Sequence, residues 1–259
     1  VLGNVGSGAA IQLGLDLNAL LVAIADQDKA DSNTLSFKLG ASETSRVDML
    51  STVSVGDITL DTGKGVRSSI GALEAPDLAH LKVLGGADVS ISNIVGITSA
   101  KVQDIVIDAG QLTGSLTINL ASVLDTAAGG RDVNVILGSG ADTVVVGAGN
   151  FAYYVVNFNA GDRIMLAGSE GQHYTALDTT HLLASTKEFI EAQTTVHEAA
   201  KAAAIIAGSF AEYQAVVFEY KNQTYVFLDA AGDHSFTVTQ DAIVKLVGSA
   251  NDVANVFAA

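Results

Sequence analysis

The residues whose types could do chemistry crowd into one stretch, Leu137 to Ile164. There Gly138, Gly140, Gly147 and Gly149 alternate with Asp142, Asp162 and short runs of Val and Tyr. Glycine-bearing turns of this kind suit φ > 0, which glycine alone adopts cheaply. One chemistry such spacing serves is dinucleotide binding. Thr143–Val146 followed by Gly147-Ala148-Gly149-Asn150-Phe151-Ala152 spells a strand and then G-x-G-x-x-A, with Glu170 at about the right distance beyond. That chemistry needs a helix N-terminus behind the glycines to hold a pyrophosphate. Tyr153–Asn157 is aromatic and β-branched, and Asn159-Ala160-Gly161 then breaks the run, so no helix fits and no nucleotide cofactor is expected.

The other chemistry is hard-cation binding. Leu137–Val145 matches the nine-residue pattern G-G-x-G-x-D-x-U-x except at its first glycine. Glycine turns expose carbonyl oxygens, an aspartate supplies charge, and stacked turns gather such oxygens around Ca²⁺. Val146–Tyr154 keeps Gly147 and Gly149 but carries Phe151 at the aspartate position, and Ala128–Ile136 keeps Gly129 with Asp132 beside that position. The expected Ca²⁺ ligands are therefore Gly138, Gly140, Asp142, Gly147 and Gly149, with Asp132, Asp162 and the turn aspartates Asp229 and Asp233.

Catalytic constellations are not expected. His197-Glu198-Ala199-Ala200-Lys201 opens like H-E-x-x-H but ends in Lys, which removes the second zinc ligand. No G-x-S-x-G elbow occurs and no cysteine can serve as a thiol nucleophile.

The elements that must position these residues read as β. From Thr34 to Leu137 short runs such as DITLD, VSISNI, DIVID and SLTINL alternate apolar residues with Ser, Thr or Asp, and each ends at Gly, Asn or Asp. One face of each run is buried and the other wet. Short coils stacked on one inward face predict a mainly β fold, a parallel β-solenoid like a β-roll, with a sandwich as the alternative. Leu13–Ile24 reads as a short apolar helix. Residues 178–208 read as one Ala-rich helical insertion, with Phe189, Ile190, Val196, Ala200, Ala203 and Ala204 near helical spacing and Gly208 as its stop. AVVFEYKNQTYVFLD predicts a hairpin turning at Lys221-Asn222-Gln223.

Composition narrows the partners. The chain has 259 residues, 28 acidic against 13 basic side chains, a net charge of −15 and a pI near 4.4. Twenty of the acids are Asp and eight are Glu, a bias toward turns and cation ligands. A phosphate backbone demands the opposite balance, so nucleic acid is not an expected partner. There is no cysteine, no tryptophan and no run of eighteen uncharged apolar residues. No basic n-region opens the chain, so no N-terminal signal peptide is expected, and the chain reads as part of something longer.

The nonapeptide, the segment VVNFNAGDRIMLAG and the stretch Thr224–Gly248 together resemble the RTX family of bacterial proteins secreted by the type I pathway. Residues 128–259 carry this resemblance, leaving 1–127 as a β-rich body, a solenoid or a sandwich, similar to bacterial surface-layer proteins. Asn157 and Met165 stand where the family commonly has aspartate. The resemblance implies Ca²⁺ as cofactor, an uncleaved C-terminal secretion signal from roughly Tyr213 to Ala259, and contact with the type I secretion machinery. It also implies an extracellular place on the bacterial cell surface and a structural role by self-association into an S-layer or lattice, with surface polysaccharide as a further partner. The alternatives are the C-terminal Ca²⁺-binding and secretion module of an extracellular enzyme, and an RTX adhesin.

Overall fold

The computed structural model describes residues 2–13, 16–24, 32–40, 45–97, 104–123, 132–147, 152–159, 161–167, 176–178, 184–207, 215–229, 235, 237 and 241–247. Along most of that length the chain winds between two sheets. One sheet takes β1 (Leu2–Val5), β3 (Leu17–Ile24), β5 (Ser45–Val53), β7 (Ser68–Glu74), β9 (Val89–Ile91), β12 (Leu116–Asn119), β14 (Thr143–Val146) and β16 (Arg163–Leu166), with β10 (Ile94–Val95) also paired to β7. The facing sheet takes β2 (Ala9–Gln12), β4 (Thr34–Lys38), β6 (Asp57–Asp61), β8 (His80–Gly85), β11 (Ile105–Leu112), β13 (Val133–Ile136) and β15 (Ala152–Val156). Every pairing among these strands is parallel. The body is a parallel β-solenoid, as the alternation of its runs predicts.

The alternation puts like on like. In the second sheet Ala9, Leu35, Ile58, Leu81, Ile107, Val135 and Val155 stand in register from coil to coil. In the first, Leu17, Val47, Ile70, Ile91, Ile118, Val144 and Ile164 do the same. These two aliphatic ladders face one another, and nearly all their members are completely buried in a single core cluster that runs from Leu13 to Leu246. Each buried Leu, Ile or Val contributes about 1.5–3 kcal/mol of transfer free energy, and a slip of one residue would turn the whole ladder outward.

The described part of Leu13–Ile24 is not helical. Leu17–Ile24 is β3, held between β1 and β5 by parallel ladders. Its Leu-Ala-rich composition suits a helix, but pairing along its length with β5 and at Val22 and Ile24 with β1 holds it extended and buries Val22 and Ile24, so tertiary context overrides a weak propensity.

After β16 the second sheet continues alone. The strands β18 (Ala215–Tyr220) and β19 (Gln223–Leu228) form the predicted hairpin, and β20 (Ala242–Val247) pairs antiparallel to β19 and parallel to β15. Lys221 and Asn222 at the turn have φ of 49° and 59°, the left-handed pair that a two-residue hairpin requires. A short strand, β17 (Ala176–Asp178), flanks β18. The helical insertion is two helices, α1 (Ala184–Glu191) and α2 (Val196–Ala207), rather than one. Thr195 breaks and restarts it: its Oγ1 accepts the N–H of Glu198, while the Glu198 carboxylate accepts the N–H of Thr194, a close variant of the capping box.

The helices cover the outer face of this extended sheet. Ile190, Ala199, Ala200, Ala203 and Ala204 pack on Val216, Phe218, Tyr220, Phe227 and Ile243, whereas Ala215, Val217, Val226, Leu228 and Val244, one residue out of phase, face the solenoid core. Phe189, read from spacing as part of the buried stripe, is instead 50% exposed. Among the described residues no helix is long and apolar enough to cross a membrane.

Candidate functional site

The aspartates of the glycine-rich stretch act on the backbone of the neighbouring coil. Asp142 stands immediately before β14, fully buried. Its Oδ1 accepts the N–H of Leu116, at the start of β12 in the coil below, at 2.7 Å. Its Oδ2 accepts the N–H of Gly138 in its own turn at 3.1 Å. Asp162 repeats the device one coil later: Oδ1 accepts the N–H of Asp142 at 2.9 Å and Oδ2 the N–H of Asn159 at 2.8 Å. The two residues are thus links of one chain, in which Asp162 holds the backbone of Asp142 and Asp142 holds Leu116. Both carboxyls are pushed up by burial, against the lowering effect of the N–H donors, and Asp162 reaches about 6 with the Asp142 charge adding to the rise.

The glycines serve close approach. None of Gly138, Gly140 and Gly147 has positive φ, so the left-handed turn expected of them is not their reason for being glycine. A Cβ on Gly138 would stand 2.2 Å from the carbonyl oxygen of Leu112, and one on Gly140 would stand 2.3 Å from that of Gly114. Gly114 in turn would meet Ala87 at 2.4 Å, and Gly147 would meet Ala121 at 2.9 Å. At these glycines the corner of one coil lies against the corner below at distances only a hydrogen atom tolerates.

The remaining candidates are scattered. Asp132 lies before β13, on the opposite sheet from Asp142 and Asp162. Its backbone N–H reaches Asp104 Oδ1 at 3.4 Å and its side chain bonds Tyr154, while burial and the Asp104 charge raise its pKa. Asp229 directly follows β19 and is buried. Gly149 and Asp233 lie outside the described residues.

This geometry bears directly on Ca²⁺. Such a cation takes six to eight oxygen ligands, yet all four carboxylate oxygens of Asp142 and Asp162 accept backbone N–H groups. Among the described residues no group of three His, Asp or Glu is placed to hold a metal. As they stand, Asp142 and Asp162 do not fit a Ca²⁺ site. They are staples between coils.

A sequence signal for the staples exists and is broader than the nonapeptide. An aspartate leads a β-run in Asp57-Ile-Thr-Leu, Asp88-Val-Ser-Ile, Asp104-Ile-Val-Ile, Asp142-Thr-Val-Val and Asp162-Arg-Ile-Met. Asp88 Oδ1 accepts the N–H of Ser115 at 2.8 Å, and Asp57 meets His80 of the next coil at 2.6 Å. Each of these five reaches a neighbouring coil.

The class defined by the fold is a parallel β-solenoid closed at one end by a hairpin, a third antiparallel strand and two helices. No protein-family model, curated protein or solved structure matches the chain.

Proposed function

We propose that the chain is a structural protein of the bacterial cell surface, exported by the type I pathway and self-associating into a lattice. The observation that carries this reading is the fold's economy: most of the described chain is spent on one stiff, two-sheet rod whose polar outer faces alternate with a single core. Among the described residues β1 and β2, at the end away from the helices, each pair with one neighbour. Edge strands of that kind are templates for association.

The export route and the extracellular setting are supported by the RTX-like stretches and the absence of cysteine from the sequence. Ca²⁺ binding is supported by the aspartate-rich composition, not by the carboxylates of Asp142 and Asp162.

Thermal unfolding with light scattering in parallel, first in EDTA and then across a Ca²⁺ titration into the millimolar range, tests the proposal. A lattice protein scatters increasingly with its own concentration, and Ca²⁺ binding to the folded chain raises Tm by mass action. Scattering that stays at the monomer value in both conditions would sink self-assembly. A Tm indifferent to Ca²⁺ would remove the metal while leaving the structural role standing.

A further inference from the structure

One corner of the solenoid collects positive charge that nothing in the fold uses. The chain has only 13 basic side chains against 28 acidic ones, so cations are scarce. Lys38 closes β4 and Lys64 lies in the turn after β6, 26 residues later (64 − 38), yet both line one cavity of about 500 Å³. Gln12, at the end of β2, lines it from the preceding coil, and Gly40, Gly63 and Val66 form its floor and wall.

The stacking explains the convergence. Gln12, Lys38 and Asp61 are register partners on successive coils, so the chain leaves the sheet at the same corner each time. Gly40 and Gly63 have φ of 59° and 65°, turning the backbone sharply at that corner without filling it with side chains. The result is a notch with an exposed ammonium on each of two coils.

Neither ammonium is committed. The ion pairs of the described residues involve Arg46, His80 and Lys187, and among those residues no hydrogen bond, ion pair or ring contact engages the side chain of Lys38 or Lys64. The acid beside them is Asp61, the register partner of Lys38, whose Oδ1 accepts the N–H of Gly63 at 2.9 Å; it leaves the two lysines with an excess of one positive charge. Two like charges around one concavity repel each other, and a concave wall focuses their field. An anion between them relieves that repulsion, and Gln12 adds an amide that can donate or accept at the same notch.

We propose that this notch binds an anionic group, a carboxylate or a phosphate, carried by a small-molecule ligand. The volume falls within the range of small-ligand sites, and ammonium groups bind either anion by charge-assisted hydrogen bonds. The inference stands on the cavity alone and does not depend on the surface-lattice reading.

The test titrates the full chain with trigalacturonate, inorganic phosphate and neutral maltotriose, read by calorimetry and by amide chemical shifts. Saturable binding of trigalacturonate assigns the carboxylate source, and saturable binding of phosphate assigns the phosphate source. Either should shift the amides of Lys38 and residues 63–66, weaken with added salt, and fall about tenfold or more in the Lys38→Gln/Lys64→Gln variant. A control variant, Lys82→Gln/Lys201→Gln, removes the same charge elsewhere and should bind as the parent does. The proposal is overturned if neither anion saturates, if maltotriose binds equally well, if the notch variant keeps full affinity, or if both variants weaken alike. The exposed positions of Lys38 and Lys64 leave Tm unchanged, so loss of binding is separable from loss of fold.

Discussion

Gly140 shows how little space a residue can be given. Its missing Cβ is the only room between its own corner and the carbonyl of Gly114. Gly140→Ala should therefore destabilise by about 1–3 kcal/mol, the usual cost of forcing one methyl into a packed contact. Gly6→Ala, where nothing lies within 4 Å of the added carbon, should change stability little. Denaturant midpoints of the two variants against the parent measure the difference. Equal midpoints would mean that the corner relaxes freely.

Asp162 makes a second prediction at this scale. Its folded pKa of about 6 lies above the ordinary carboxylate value near 3.9 in an unfolded chain. Below pH ~4 both states are protonated, and between ~4 and ~6 the folded state holds the proton that the unfolded state has released. The linkage slope is then negative, so this residue's contribution to stability falls as pH rises through that window and is flat above it. Asp162→Asn removes the titration, although its amide leaves one backbone N–H facing a donor. The difference in Tm between parent and variant, followed from pH 4 to 6, should shrink as pH rises. A difference constant with pH would show that Asp162 titrates normally.

Elements hold together through their ends as much as through their faces. The two helices exist as two because Thr195 Oγ1 accepts the N–H of Glu198 in the first turn of α2, while the Glu198 carboxylate accepts the N–H of Thr194 before it. The alanines behind them lie flat against the aromatic residues of β18 and β19. Thr195→Ala should cost about 1 kcal/mol, the common value for a lost N-cap, read as a lower Tm. Because the helices cover one face of β18 and the solenoid core lies on the other, that loss should appear in the single unfolding transition rather than as separate fraying. A distinct early transition would show the helical layer to be an independent unit.

The whole molecule is a rod with unlike ends. At one end the sheets stop at β1 and β2, each with a free edge among the described residues. At the other, β20 and the hairpin extend one sheet beyond its partner and the helices clothe its outer face. The proposed association would use such sheet ends, of which β16 and β17 are the other two among the described residues, and scattering is its readout. The lysine notch lies on the side of the rod, at the corner after β4 and β6, on the same edge along which Gly114, Gly138 and Gly140 stack further on.

Much of this architecture is written locally. The two-residue alternation in runs such as DITLD and SLTIN, and the Lys221-Asn222 turn between two apolar runs, depend only on neighbours a few positions away, so they predict strands, a solenoid and a hairpin. Leu17–Ile24 defeats the same reasoning because its residues suit helix and strand alike, and pairing with β1 and β5 decides. The roles of Asp142 and Gly140 are likewise beyond local reach. Spacing marks both as cation ligands, but the Leu116 N–H and the Gly114 carbonyl, each 26 residues earlier (142 − 116 and 140 − 114), arrive beside them only through coil register. Lys38 and Lys64 meet for the same reason. Periodicity along the chain determines which face of each strand is buried, while the stacking distance of about 4.8 Å between coils determines which distant residues become neighbours, and hence what an aspartate or a lysine has to bind.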